Sequence, residues 1–161
     1  MTRSTAVVIA CLLSVLFLSP FSVQAQLATK KALTLEAAKK LASVAEAEAL
    51  KNKWTMVIAI VDDGGNLLFL ERMDNTQIGS IEVAIQKAKS AIFFKRPTKA
   101  YEDLVAQGKT DILGVPGVIP IEGGLPLVVD GQYVGAIGIS GGTRQQDGIV
   151  VKAAVDAFPA Q

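Results

Sequence analysis

Asp130-Gly131 stands between two apolar runs, residues 125–129 and 132–139. A two-residue turn of this kind needs positive φ at both central positions, which Asp-Gly supplies, so the pair predicts a type I′ hairpin. A second run, residues 54–61, leads into Asp62-Asp63-Gly64-Gly65-Asn66 and resumes in extended style over 67–73. Dense turn formers between β-type runs predict another hairpin. Both hairpins are separated by helical patterns. Hairpins alternating with helices imply an antiparallel sheet flanked by helices, an α+β layer architecture.

Thr34 is an expected N-cap for an alanine-rich helix over 35–51, with Leu41, Val44 and Ala45 on one side and Asn52 closing it. Ser80 is the expected cap of a second helix. Its apolar residues Ile81, Ala84, Ile85, Ala88, Ala91 and Ile92 recur at i, i+3, i+4 and i+7, Lys95 and Arg96 sit at its C-terminal end, and Pro97 stops it. A shorter helix is expected over 98–106, ending at Gly108, followed by a Gly- and Pro-punctuated loop over 111–120. Thr143-Arg144-Gln145-Gln146 fits a capping box and opens a last helix from Arg144 to about Phe158.

At 161 residues the chain is expected to hold one domain once a targeting segment is removed. Arg3, the apolar run 7–18 and Val23-Gln24-Ala25 read as a secretory signal peptide over 1–25, leaving a domain over 26–161 and a periplasmic or secreted location. The run is shorter than the roughly 20 apolar residues a bilayer demands, so no stable membrane anchor is expected. Cys11, the only cysteine, lies inside that segment. Outside it, 15 basic residues balance 15 acidic ones once Arg3 is subtracted from 16. A neutral chain lacks the electrostatic footprint of a nucleic-acid binder.

Gly141-Gly142 falls between a strand and a helix N-terminus. Such a junction aims backbone N–H groups and the positive end of a helix dipole at one spot, which suits a carboxylate or phosphate. Gly141, Gly142, Thr143 and Arg144 are therefore candidate ligand-binding residues, with Arg72 as a second donor; a plain tight turn is the other reading. Histidine is absent from the chain, which removes Ser-His-Asp and Cys-His arrangements and the usual zinc sets. If the protein is an enzyme, Arg72 orients a small organic acid and Asp74 or Asp147 acts as base. No metal-ligand set is legible: Asp62-Asp63 with Glu122 lacks the spacing of a calcium loop. An assembly subunit, its glycine turns shaping subunit contacts, is the third function class.

The stretches VDDGGNLLFLERMDN, GSIEVAIQKAKSA, FFKRPT and PGVIPIEGGLPLVVDGQYVGAIGISGGTRQQD, in that order, resemble the GlcG/HbpS-like haem-binding family over about residues 33–158. The resemblance implies a profilin-like domain, with a sheet of about five antiparallel strands flanked by helices, and assembly as a homo-oligomer. It also implies haem or corrinoid association. A histidine-ligated haem is ruled out by the composition, leaving Tyr101, Tyr133, Met56 and Met73 as axial ligand types. The reading that results is a small-molecule binding protein for an anionic ligand, an organic acid or a tetrapyrrole.

Overall fold

A computed structural model describes residues 27–158. The expected signal peptide over 1–25 and Cys11 lie outside the described residues. In chain order the elements are α1 (Leu35–Lys51), β1 (Val57–Asp62), β2 (Leu67–Arg72), α2 (Ser80–Phe93), α3 (Lys99–Ala106), a 3-10 turn (Thr110–Gly114), β3 (Gly124–Val129), β4 (Gln132–Ser140) and α4 (Arg144–Asp156). The strands form one antiparallel sheet in the order β2-β1-β4-β3. The α+β class holds, with four strands among the described residues rather than about five.

Both hairpins form for the reasons legible in their turns. Asp130 and Gly131 take φ of 47° and 74°, the mirror-image turn that suits the strand twist. In the other hairpin Asp62 Oδ1 accepts from the N–H groups of Gly64 and Asn66 at 2.9 and 2.8 Å, an Asx turn that closes the loop. Thr34 caps α1 through Ala37 N, and Thr143 with Gln146 completes the capping box of α4.

Helix α2 departs from its expected ends. Gly79 is the N-cap and makes no side-chain cap bond, while Ser80 is the first helical residue and is buried, its Oγ accepting from Ser140 Oγ at 3.2 Å. The helix stops at Phe93, and Lys95 takes φ of 53°, so Lys95 and Arg96 lie beyond the last turn instead of on its dipole. Burial of the serine pair decided this start over local capping.

The sheet divides the core in two. Ile58 and Ile60 of β1 pair in register with Ile139 and Ile137 of β4 and face α1 and α4, where Leu41, Ala42, Ala45, Ala49, Val150 and Ala154 meet them. Burying each such isoleucine side chain contributes roughly 1.5–3 kcal/mol. On the opposite face Val57, Ala59, Val61 and Ala136 pack under Ala84, Ala88, Ala91 and Ile92 of α2. That helix lies very close: a Cβ at Gly138 would stand 2.0 Å from Ala84 O. Helix α2 spans β1, β4 and β3, and α1 covers β1 and β2 from the other side. Among the described residues no helix is long and apolar enough to cross a membrane.

Candidate functional site

The end of β4, the Gly141-Gly142 turn and the start of α4 form a junction where the chain passes unusually close to itself. A Cβ at Gly141 would stand 2.3 Å from Thr55 O, and one at Gly142 2.5 Å from Gln146 Oε1. At Gly141, hard against backbone, glycine is required by close approach; at Gly142 the neighbours are side-chain atoms of Gln146 and Met56. The donors of the turn are already used. Gly142 N donates to Asp147 Oδ1 at 3.1 Å, Thr143 N to Gln146 Oε1 at 2.8 Å and Gln146 N to Thr143 Oγ1 at 3.3 Å. The chain's own carboxylate thus occupies the place an external anion was expected to take. Arg144 remains on the surface, 57% exposed, its Nη1 standing 3.6 Å from Glu102 Oε1.

Asp147 is itself fixed from below. Lys87 Nζ, on α2, donates to Asp147 Oδ2 at 2.7 Å and to Ile139 O at 3.0 Å, and the two side chains are 1% and 4% exposed. Burial pushes the Asp147 carboxyl above its ordinary value, against the opposing pull of the Lys87 ammonium and the N–H groups of Gly142 and Gly141. The second glycine pair closes over this ion pair: a Cβ at Gly123 would stand 2.8 Å from Lys87 Nζ, and one at Gly124 2.5 Å from Lys87 O. Glu122, just before, rests on Gly148, where a Cβ would meet Glu122 Oε1 at 2.3 Å. This explains a glycine in the first turns of α4. The N–H of Glu122 donates to Glu102 Oε2 at 2.7 Å, and burial raises the Glu122 carboxyl. Arg144, Glu102 and the Glu122 backbone thus form one polar group, and the buried Lys87–Asp147 pair a second one beneath Gly123.

The other anticipated residues do not join it. Arg72 stands in register with Val57, which stands in register with Ser140, so two strand spacings, roughly 10 Å, separate Arg72 from the end of β4. Its Nη1 donates to Thr76 O at 3.2 Å, and Gln77 Nε2 donates to Gly141 O at 3.3 Å. The Thr76-Gln77 turn thus lies between Arg72 and the glycines, and no shared carboxylate pocket is built. Asp74 borders a different cavity, of about 370 Å³, with Trp54, Met73, Glu46 and Lys53. Since Asp147 is buried and doubly engaged, the enzyme arrangement of Arg72, Asp74 and Asp147 around one substrate is not assembled.

The four residues considered for iron fare unevenly. Met56 is fully buried, Met73 is 9% exposed, Tyr133 donates its hydroxyl to Lys95 O at 3.2 Å, and Tyr101 is 2% exposed with its ring edge-on to Phe94. The described residues contain no cluster of three His, Cys, Asp or Glu side chains suited to a metal. Lys87 and Glu102 went unremarked in the sequence, although a lysine between Ala84, Ala88 and Ala91 on one apolar helical face was an available signal for Lys87. For Glu102 no such signal exists.

Comparison with known proteins bears on this site. The family model described as haem degrading protein HbpS-like matches residues 33–156. Protein GlcG of Escherichia coli strain K12 is 42% identical over 112 residues, covering 70% of this chain and 84% of GlcG. Among solved structures, Klebsiella pneumoniae protein ORFY superposes with a TM-score of 0.78 at 33% identity, over 87% of this chain and 99% of ORFY. The haem complex of PduOC superposes with a TM-score of 0.71 at 30% identity, over 79% of this chain and 95% of PduOC.

Proposed function

The chain belongs to the HbpS-like family, and from that membership we propose that it is a binding protein for a small organic anion, taken up beside the β4–α4 junction. The observation that carries the reading is the fully buried Lys87–Asp147 pair beneath the two glycine pairs. A buried ion pair is a poor way to gain stability, because desolvation offsets most of the attraction. What it does supply is a rigid floor, holding the Gly141–Thr143 backbone in one conformation under the exposed Arg144. In this reading Arg144 and the hydroxyl edge of Thr143 meet the ligand, while Gly141 and Gly142, closed against Thr55, Met56 and Gln146, shape the turn beneath it and give it no open backbone donor. Arg72 is a more distant second donor, linked to the turn through Thr76 and Gln77.

A histidine-held haem does not fit this chain, which contains no histidine. A tetrapyrrole remains a ligand of the right charge through its own carboxylates. We further propose that the protein is exported after cleavage near Ala25, acts in the periplasm or outside the cell, and works as a homo-oligomer.

The test is a ligand panel on the purified protein: haemin, followed at its Soret band beside Tyr101→Phe and Tyr133→Phe, and small mono- and dicarboxylates, followed by thermal melting. A ligand at a hundred times its Kd stabilises by about 2.7 kcal/mol, so the melting temperature must rise. Arg144→Ala is expected to weaken that ligand about tenfold or more, the worth of a charge-assisted hydrogen bond. If no carboxylate and no haemin moves the melting temperature, the binding reading is wrong.

A further inference from the structure

Strand β2 is an outer edge of the sheet, and its pairing with β1 decides which of its backbone groups are free. Met73 N donates to Met56 O at 3.0 Å, so the bonded positions alternate back through Glu71 and Phe69. The N–H and C=O of Leu70 and Arg72 therefore point away from β1, and no described residue supplies them with a backbone partner. The side chains tell the same story. Leu70 and Arg72 share the face of Ala59 and Val57, which α2 covers over β1, β4 and β3 without reaching over β2. Leu67 and Leu70 are left 47% and 36% exposed.

An open edge of this kind is usually blunted by lysine, proline or a covering loop. From Leu67 to Leu70 β2 contains neither lysine nor proline; its charges, Glu71 and Arg72, fall at one end and the irregularity in its pairing at Ile60/Val61 at the other. The opposite edge is protected: β3 contains Pro126, Gly124 O accepts from Thr98 N at 3.0 Å, and α2 packs over the strand.

We propose that the β2 edge is a strand-to-strand interface between two copies of this chain, which join their sheets across a twofold axis at Leu70. The proposal rests on the homo-oligomer reading above and gives it a surface. A twofold axis normal to the sheet keeps the α2 faces of both copies on one side. Leu70 then lies opposite the partner's Leu70, and Leu68 opposite the partner's Arg72. The outward-directed N–H of each Leu70 meets the C=O of the other in a reciprocal pair, and the two exposed Leu70 side chains cover one another. Since β3 cannot offer a complete ladder, β2 has no open-ended partner on another copy, and the contact closes as a dimer. The chain's formal charge of +1 sets up no repulsion between copies.

Sedimentation of the full chain and a cross-linking trial test this. Wild type is expected to sediment as a dimer or a multiple of one, and Leu70→Lys to halve that mass. Directly opposed residues in a bonded antiparallel pair have Cα atoms about 5.5 Å apart, within disulfide reach. Leu70→Cys in a Cys11→Ser background is therefore expected to form a covalent dimer without reductant, and Val83→Cys, on α2, is not. A monomeric wild type overturns both the interface and the homo-oligomer reading. An oligomer whose mass Leu70→Lys leaves unchanged, or in which Leu70→Cys cross-links no better than Val83→Cys, overturns the interface alone. Ligand-induced melting shifts report on the binding reading independently of either result.

Discussion

Lys87 sits in the middle of an apolar helix face with its ammonium fully enclosed, and everything around it is arranged to tolerate that charge. Asp147 Oδ2 and Ile139 O accept hydrogen bonds from two of its N–H groups, while Gly123 leaves room for the ammonium. Removing one partner strands a buried charge, so Lys87→Met or Asp147→Leu is expected to cost about 3–5 kcal/mol, whereas the double variant recovers much of the loss. Denaturant unfolding of the four proteins in a double-mutant cycle measures this. Additive losses would show that the two side chains do not act as a pair. The same pair explains why the glycine turn is closed rather than open: Asp147 Oδ1 already holds Gly142 N.

At the scale of elements, the two interior layers differ in how closely they approach the sheet. Helix α2 presents Ala84, Ala88 and Ala91 to β1 and β4, and Gly138 lets its backbone come nearer still. Gly138→Ala must push α2 away or bend β4, so a loss of about 3 kcal/mol or more is expected from overpacking. Comparison of its denaturation midpoint with that of Gly131→Ala separates the causes, because a Cβ at Gly131 meets nothing within 4 Å and is opposed only by its φ of 74°. Equal midpoints would mean that α2 gives way at Gly138 and that its close docking costs no more than the backbone strain of the single turn residue Gly131. The start of α2 carries a related lesson. Ser80 looks like a cap in sequence, but its burial against Ser140 draws it one position into the helix.

Across the whole molecule the titrating groups pull in two directions. Burial raises Glu71, with Glu46 adding to the effect, and burial raises Glu122. A carboxyl whose folded value is raised binds its proton more tightly when folded, so its contribution is present below the unfolded value near 4.3 and is lost as pH climbs through the folded one. Asp62 is opposite: burial alone would raise it, but the N–H of Asn66, its side chain and the N–H of Gly64 outweigh this and lower it. Its contribution is present above about pH 3.9 and disappears as pH falls through the folded value. Stability is therefore expected to hold or rise slightly from pH 7 to 5 and to drop below about pH 4. Urea midpoints across that range check it; a steady decline from pH 7 to 5 would contradict the assignment of Glu71 and Glu122.

Local chemistry by itself determined both hairpins, the caps at Thr34 and Thr143, and the identity and order of the helices, because each depends on residues within a few positions of one another. It also placed Gly141, Gly142, Thr143, Arg144 and Asp147 at one junction, since they are neighbours in the chain. Tertiary structure alone decided what that junction holds. Lys87 arrives from α2, sixty residues before Asp147, Glu102 from α3 and Glu122 from the approach to β3. Strand order likewise set Arg72 two strands from the glycines and left β2 as an open edge among the described residues, because register between distant strands depends on how both faces of the sheet are buried, which no local pattern encodes.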